Sequence, residues 1–234
     1  MKDHRNSDKW TYWRKSNFDY FVRHFKNLEN SDRVLDVGAG PQQFRVIFQN
    51  CQLTTLDFKA YDGIDVVADL NEGLPFEDNL YDYVFLSNVL EHIPEPKNLL
   101  SECFRVLKPK GRILITVPFM LKLHQLPFDF FRYTNFGLEH LFKESGFSSI
   151  EITKLGGIDE VQDNVIDVFF VTLLKNLHKD ISNYWLRFLP KLFLLFLKKS
   201  IKFIIKIANL FNSDVQVLNG KEYILGYGVV AEKI

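Results

Sequence analysis

Two glycines and a downstream aspartate have the types and spacing of a nucleotide-like ligand site. Val34-Leu35-Asp36-Val37-Gly38-Ala39-Gly40 is a short apolar run closed by glycines. Glycine at a strand-to-helix turn lets a ligand approach the backbone, and the first N–H groups of the helix that follows are free to bind it. Asp57 follows the first glycine by about 20 residues, the spacing at which a carboxylate meets ribose hydroxyls in dinucleotide folds. A tight turn without a ligand would use the same two glycines, so the turn alone does not decide. A dinucleotide fingerprint needs a third glycine for close helix packing. Gln43 stands there, which counts against a nicotinamide-dependent oxidoreductase.

The elements that must position these residues follow from hydrophobic period. Phe18, Phe21, Val22, Phe25 and Leu28 recur at helical spacing and predict an entry helix over Arg14 to Leu28. Short strands are predicted at Arg33–Val37, Leu53–Leu56, Val66–Ala68, Tyr83–Ser87, Arg112–Val117 and Ser149–Leu155, with a last one at Tyr223–Glu232. Pro41 is expected in the first turn of a helix after the glycines. Pro94 to Leu107 reads as a helix ended by the turn Lys108-Pro109-Lys110-Gly111, and Thr134 as the cap of a helix running to Ser145. Alternating strands and helices predict an α/β fold: a doubly wound, mainly parallel seven-stranded sheet with helices on both faces. The long stretch before the last strand is far beyond an ordinary connection, so a helical insertion between the last two strands is expected. The domains are then 1–155 with 222–234, and an inserted 156–221.

Composition narrows the function classes. The hydrophobic fraction of 47% with 25% charged residues excludes a disordered or fibrous chain. Lys plus Arg and Asp plus Glu both total 29, so no basic excess points to nucleic acid. Cys51 and Cys103 are too few for a four-thiolate zinc site or a disulfide framework, and a reducing compartment is the default. The opening MKDHRNSDKWTYWRKS holds no apolar run of signal-peptide length, which predicts a cytoplasmic chain.

Asp36 lies two residues before the first glycine, and further blocks follow in order along the chain. This pattern resembles motif I of the class I S-adenosylmethionine-dependent methyltransferases, small-molecule branch. The resemblance implies S-adenosyl-L-methionine as cofactor, held by Asp36, Gly38, Gly40, Asp57 at the ribose, Asp69 and Leu70 beside the adenine, and Asn88 near the methionine moiety. Asp82 to His92 resembles the fourth strand with its turn, and Glu102 to Gly111 the helix and turn leading to the fifth. The likeness spans about residues 33 to 155. A sulfonium methyl is already electrophilic, so the protein must hold donor and nucleophile in line and remove a proton from a hydroxyl or carbon acceptor. No metal is required for that. Candidate bases are His92, His124 and Glu91, with His124 expected nearer the acceptor. His124 opens a segment ending Asp129-Phe130-Phe131-Arg132-Tyr133-Thr134 that resembles the H-x-x-P-x-D-[FY]-x-R-[YF]-T loop of some small-molecule methyltransferases. Asp129, Arg132 and Tyr133 become candidate substrate residues, though Asp129 and Arg132 could instead pair and fix the loop.

The insertion is electrically distinct. From Asn183 to Phe211 there is no acid, against six positive charges: Arg187, Lys191, Lys198, Lys199, Lys202 and Lys206. At about 100° per residue these collapse onto a narrow stripe beside a broad Phe/Leu/Ile face. Its apolar runs are too short to cross a bilayer. A basic stripe beside an apolar face predicts one helix over 190–211, docked on the inner membrane leaflet or packed against an apolar partner. The expected protein is a methyltransferase acting on O or C of a small, lipid-linked or glycan-related acceptor. A membrane-recruited, non-catalytic cofactor-binding module is the alternative.

Overall fold

The computed structural model describes residues 10–180, 184–211 and 222–234. It divides into two units, Met1–Leu155 with Gly226–Ile234, and Gly156–Leu225. The first unit carries α1 (Tyr12–His24), β1 (Arg33–Val37), β2 (Gln52–Asp57), β3 (Val66–Val67), β4 (Tyr81–Ser87), α2 (Pro96–Val106), β5 (Leu107–Pro118), α3 (Asn135–Glu144), β6 (Ser148–Leu155) and β7 (Gly226–Glu232). The second carries α4 (Ile158–Asp180) and α5 (Tyr184–Phe211).

The sheet runs in the order β3-β2-β1-β4-β5-β7-β6. All pairs are parallel except those of β7, which is antiparallel to both β5 and β6. Central parallel strands are covered on both faces, which is why they read as mainly apolar runs: Val34, Leu35 and Val37 of β1 are fully buried, with the buried Asp36 among them. Parallel pairing also brings the carboxyl ends of β1, β2, β4 and β5 to one edge. Gly38, Asp57, Asn88 and the loop after Pro118 therefore meet there although they are far apart in sequence.

One face of the sheet is sealed by aromatic packing. Phe18 and Phe21 on α1 and Phe25 just after it join Phe44, Phe48 and Phe85 in a buried cluster, with the Phe21 and Phe85 rings 4.4 Å apart edge to face. Such pairs are favoured by the ring quadrupoles. Tyr20, fully buried on the same helix, lies on Gly228 of β7; a Cβ there would sit 2.5 Å from the tyrosine ring. Gly228→Ala is expected to cost about 1–3 kcal/mol, the range for an overpacked core. Urea unfolding would show it as a lowered midpoint, and an unchanged midpoint would contradict the packing.

Three local expectations are corrected. No α-helix follows the glycine turn: Gln42 takes φ +54, and turns lead into a single 3-10 turn at Arg45–Phe48. Helical hydrogen bonding cannot pass a residue in the left-handed region. Residues 108–111 belong to β5, because the strand starts at Leu107, paired with Tyr81, and absorbs Lys110 at φ +66 through a register shift. The last strand starts at Gly226 rather than at 223. Thr134 does cap α3, accepting from the Gly137 N–H at 3.1 Å.

In the second unit, α5 begins at Tyr184, so Pro190 falls inside the helix rather than in its first turn. The basic stripe does not stand wholly free. Lys202 pairs with Asp163 at 3.4 Å and Asp167 at 2.6 Å on α4, and Lys198 with Asp167 at 3.0 Å. Acids on a neighbouring helix satisfy these lysines, a partner that the one-helix reading did not consider. Residues 212–221 lie outside the described residues. No helix among the described residues is long and apolar enough to cross a membrane.

Candidate active site

The glycine turn is built by two left-handed residues, Gly38 at φ +73 and Gly40 at φ +52. The N–H groups of Gly38 and Ala39 both donate to Leu56 O, at 2.8 and 3.0 Å, which locks the turn onto β2. A Cβ on Gly38 would lie 2.5 Å from Val89, whereas one on Gly40 would meet nothing within 4 Å. The first glycine thus permits close packing and the second leaves an open approach to the backbone.

Asp57 ends β2 and is only 4% exposed. Its carboxylate accepts from Gly40 N at 2.8 Å and Lys59 N at 2.9 Å. An ionised carboxylate has about four acceptor positions, so each oxygen keeps capacity for a hydroxyl of a ribose diol. Asp36 is equally buried, and burial followed by the neighbouring Asp57 charge holds its carboxyl well above the usual carboxylate range. Asp69 accepts from Asn71 N at 2.9 Å and Asn71 Nδ2 at 2.8 Å, and Leu70 beside it is buried.

The loop carrying Asp69 is pinned to α2. Glu102 accepts from Leu74 N and from Arg105, whose guanidinium also donates to Leu74 O and Phe76 O and pairs with Asp78. Arg105 holds the Glu102 carboxyl below its ordinary value. A depressed carboxyl stabilises the fold above its unfolded value, and that contribution is lost as pH falls through its folded one. Arg105→Ala should therefore lose less stability than wild type between about pH 5 and about pH 3. Parallel slopes in denaturant titrations at the two pH values would contradict this.

Asn88, at φ +56, has its side chain already engaged: Oδ1 accepts from the Trp13 indole N–H at 2.7 Å and Nδ2 donates to Ser87 Oγ at 3.2 Å. Trp13 was not singled out from the sequence. Only the folded sheet brings α1 back over the end of β4, 75 residues away.

Beyond Asn88, a 3-10 turn at Leu90–His92 and the loop after β5 build one cluster. Glu91 is fully buried, and neither carboxylate oxygen has a hydrogen-bond partner. Its Oε1 lies 3.5 Å from His124 Nε2 and 3.7 Å from His92 Nε2. The two imidazole Nε2 atoms are 3.2 Å apart. His92 Nδ1 donates to Phe128 O at 2.6 Å, and His124 Nδ1 faces Asp129 Oδ2 at 3.3 Å. The Glu91 carboxylate holds the His124 imidazole above its ordinary value, against burial. The structure thus brings the Nε2 atoms of His92 and His124 to one point.

The candidate substrate residues fix the loop. Asp129 is gripped by Arg132 through contacts of 2.6 and 2.8 Å and accepts from His124 N at 2.9 Å; Arg132 first and then this N–H hold its carboxyl far below the usual range. Arg132 also donates to Phe131 O at 2.8 Å. Tyr133 is buried and donates to Leu90 O at 3.1 Å, while Phe130 N donates to Glu91 O at 2.9 Å. These bonds tie the loop to the turn that carries Glu91 and His92. The side chains left outward include five large apolar ones, Met120, Leu123, Leu126, Phe128 and Phe130, beside the polar Lys122 and Gln125.

A family model described as a methyltransferase domain matches residues 9–152. Among curated relatives, demethylmenaquinone methyltransferase of Staphylococcus epidermidis is 28% identical over 141 residues, covering 50% of this chain and 56% of that protein. Sterol 24-C-methyltransferase of Schizosaccharomyces pombe is 30% identical over 111 residues, covering 40% of this chain and 29% of that protein. The chain therefore matches less than two thirds of either relative's length. A solved S-adenosylmethionine-dependent methyltransferase from Archaeoglobus fulgidus shares the fold with a TM-score of 0.58 at 19% identity, covering 93% of both chains. The open Gly40 backbone and the spare acceptor capacity of Asp57 fit the cofactor: Asp57 would take the ribose, and the Gly38–Gly40 turn would let the ligand approach the backbone. With its matched domain, its sheet order and this cradle, the chain belongs to the class I S-adenosylmethionine-dependent methyltransferases.

Proposed function

We propose that this methyltransferase acts on an oxygen or carbon of a small, apolar, lipid-linked acceptor. The observation that carries the reading is the juxtaposition of the Glu91–His92–His124 cluster with a loop that exposes four large apolar side chains, Leu123, Leu126, Phe128 and Phe130. The cluster offers a place to take a proton from the acceptor, and the loop a surface suited to apolar substrate. The printed names of the two curated relatives, one for demethylmenaquinone and one for a sterol, support an apolar acceptor class. Incubating the purified protein with methyl-labelled cofactor and a total lipid extract tests it. Label in a lipid fraction is expected; label only in water-soluble or protein fractions overturns the acceptor class.

A lipid-linked acceptor also calls for contact with a membrane surface, and α5 supports this. Phe193, Phe196, Phe203 and Ile204 are all more than 60% exposed, with Lys199 and Lys206 also exposed. Because Lys198 and Lys202 are paired with α4, the apolar residues should dominate binding. Phe196→Glu with Phe203→Glu is expected to abolish flotation with anionic vesicles, whereas high salt should reduce it only in part. Vesicles that never recruit the wild type would refute membrane contact.

A further inference from the structure

We propose that Glu91, His92 and His124 form a binding site for one divalent first-row transition ion, of the zinc, cobalt or manganese kind. The reasons are geometric and lie in this chain's own side chains. Ligands held about 2.0–2.1 Å from a tetrahedral zinc lie about 3.3–3.4 Å from one another. The three ligand-atom separations here are 3.2, 3.5 and 3.7 Å. Three donor atoms therefore already stand close to the triangle that such an ion requires.

The hydrogen bonds around the cluster set the donor atoms. A carbonyl can only accept, so Phe128 O takes the Nδ1 proton of His92 and leaves the Nε2 lone pair pointing inward. Gln125 Nε2, 3.0 Å from that nitrogen, donates to the same lone pair and would have to yield it to an ion. Asp129 Oδ2 stands 3.3 Å from His124 Nδ1 and accepts from the His124 backbone N–H, and Asp129 is itself fixed by Arg132, so a carboxylate faces the far side of this imidazole. An imidazole held through Nδ1 by a carbonyl or carboxylate is the usual support of a metal ligand.

Glu91 then decides between occupants. Its carboxylate is fully buried with no hydrogen bond at either oxygen, and Oε1 stands within ion-pair distance of both imidazoles. A proton on His124 can point at one acceptor only, at Glu91 or at His92. A divalent ion takes the carboxylate and both lone pairs at once. Two imidazoles and one carboxylate suit zinc, cobalt, manganese or iron rather than the all-oxygen shells of calcium and magnesium, and three protein ligands leave a position open. The open position would receive the acceptor's oxygen, a role that rests on the function proposed above, whereas ion binding itself does not. Coordination releases the hydroxyl proton to solvent. The oxygen lone pair then forms the new bond to the methyl carbon as the carbon–sulfur bond breaks, leaving methylated product and neutral S-adenosylhomocysteine. The expectation that no metal is required extended to removal of the acceptor's proton, and this site would depart from it.

The test titrates Co2+ and Zn2+ into chelator-treated full chain, by calorimetry and by the visible absorption of Co2+. Wild type is expected to bind one ion per chain with the intense visible bands of low-coordinate cobalt. Glu91→Gln and His92→Ala should each weaken it by roughly 100-fold or more, and Asp129→Asn by about 10- to 100-fold through His124. His140→Ala, an exposed histidine on α3, should leave it unchanged. Thermal melting and cofactor titration of every variant show whether each is folded. Absence of a wild-type cobalt band, or equal binding in folded Glu91→Gln, overturns the site. Metal binding without methyl transfer would instead count against the proposed activity alone.

Discussion

His124→Ala is expected to lower turnover by about 10²- to 10⁴-fold, the range for losing proton removal from the acceptor, whether the imidazole takes that proton itself or helps to hold an ion that acidifies it. His124 is the member of the cluster that reaches Glu91, His92 and Asp129 together, at 3.5, 3.2 and 3.3 Å. Removing it leaves the buried Glu91 carboxylate with His92 alone at ion-pair distance, while the bonds from Phe128, Phe130 and Tyr133 still tie the loop to the turn after β4. The loss should appear in kcat, with affinity for S-adenosylmethionine unchanged, because none of the cofactor residues contacts this imidazole. Steady-state kinetics paired with calorimetry separates the two. Turnover surviving in His124→Ala would mean that the cluster anchors the loop and that transfer proceeds by proximity alone.

Asp57→Ala is expected to weaken cofactor binding by about 10- to 150-fold, equivalent to 1.5–3 kcal/mol for a hydrogen bond to a charged group. The structure places the effect toward the upper end. The same carboxylate that would accept the ribose also accepts from Gly40 and Lys59, so its loss loosens the turn along with the contact. Asp57→Asn keeps one accepting oxygen and should lose less. Calorimetry with S-adenosylmethionine and S-adenosylhomocysteine checks both variants, and unchanged affinity in Asp57→Ala would remove Asp57 from the site.

Much of this was legible in one dimension, for a physical reason. Buried parallel strands are short apolar runs, and glycines mark where the backbone must turn through positive φ, so β1, its Gly38–Gly40 turn and Asp57 could be placed from residue type and spacing. The cap at Thr134 is likewise a local hydrogen bond between near neighbours. The helix expected after Gly40 failed because a left-handed Gln42 leaves no trace in hydrophobic period. What only the tertiary structure decided is long-range. Trp13 meets Asn88, Lys198 and Lys202 find acids on α4, and Glu91 proves to be buried between two histidines 32 residues apart. The sequence named Glu91, His92 and His124 separately as bases, and gave Asp129 and Arg132 either to substrate or to each other. The pairing of Asp129 with Arg132 and the meeting of the two histidines depend on side-chain orientation, which arises only when separate segments pack.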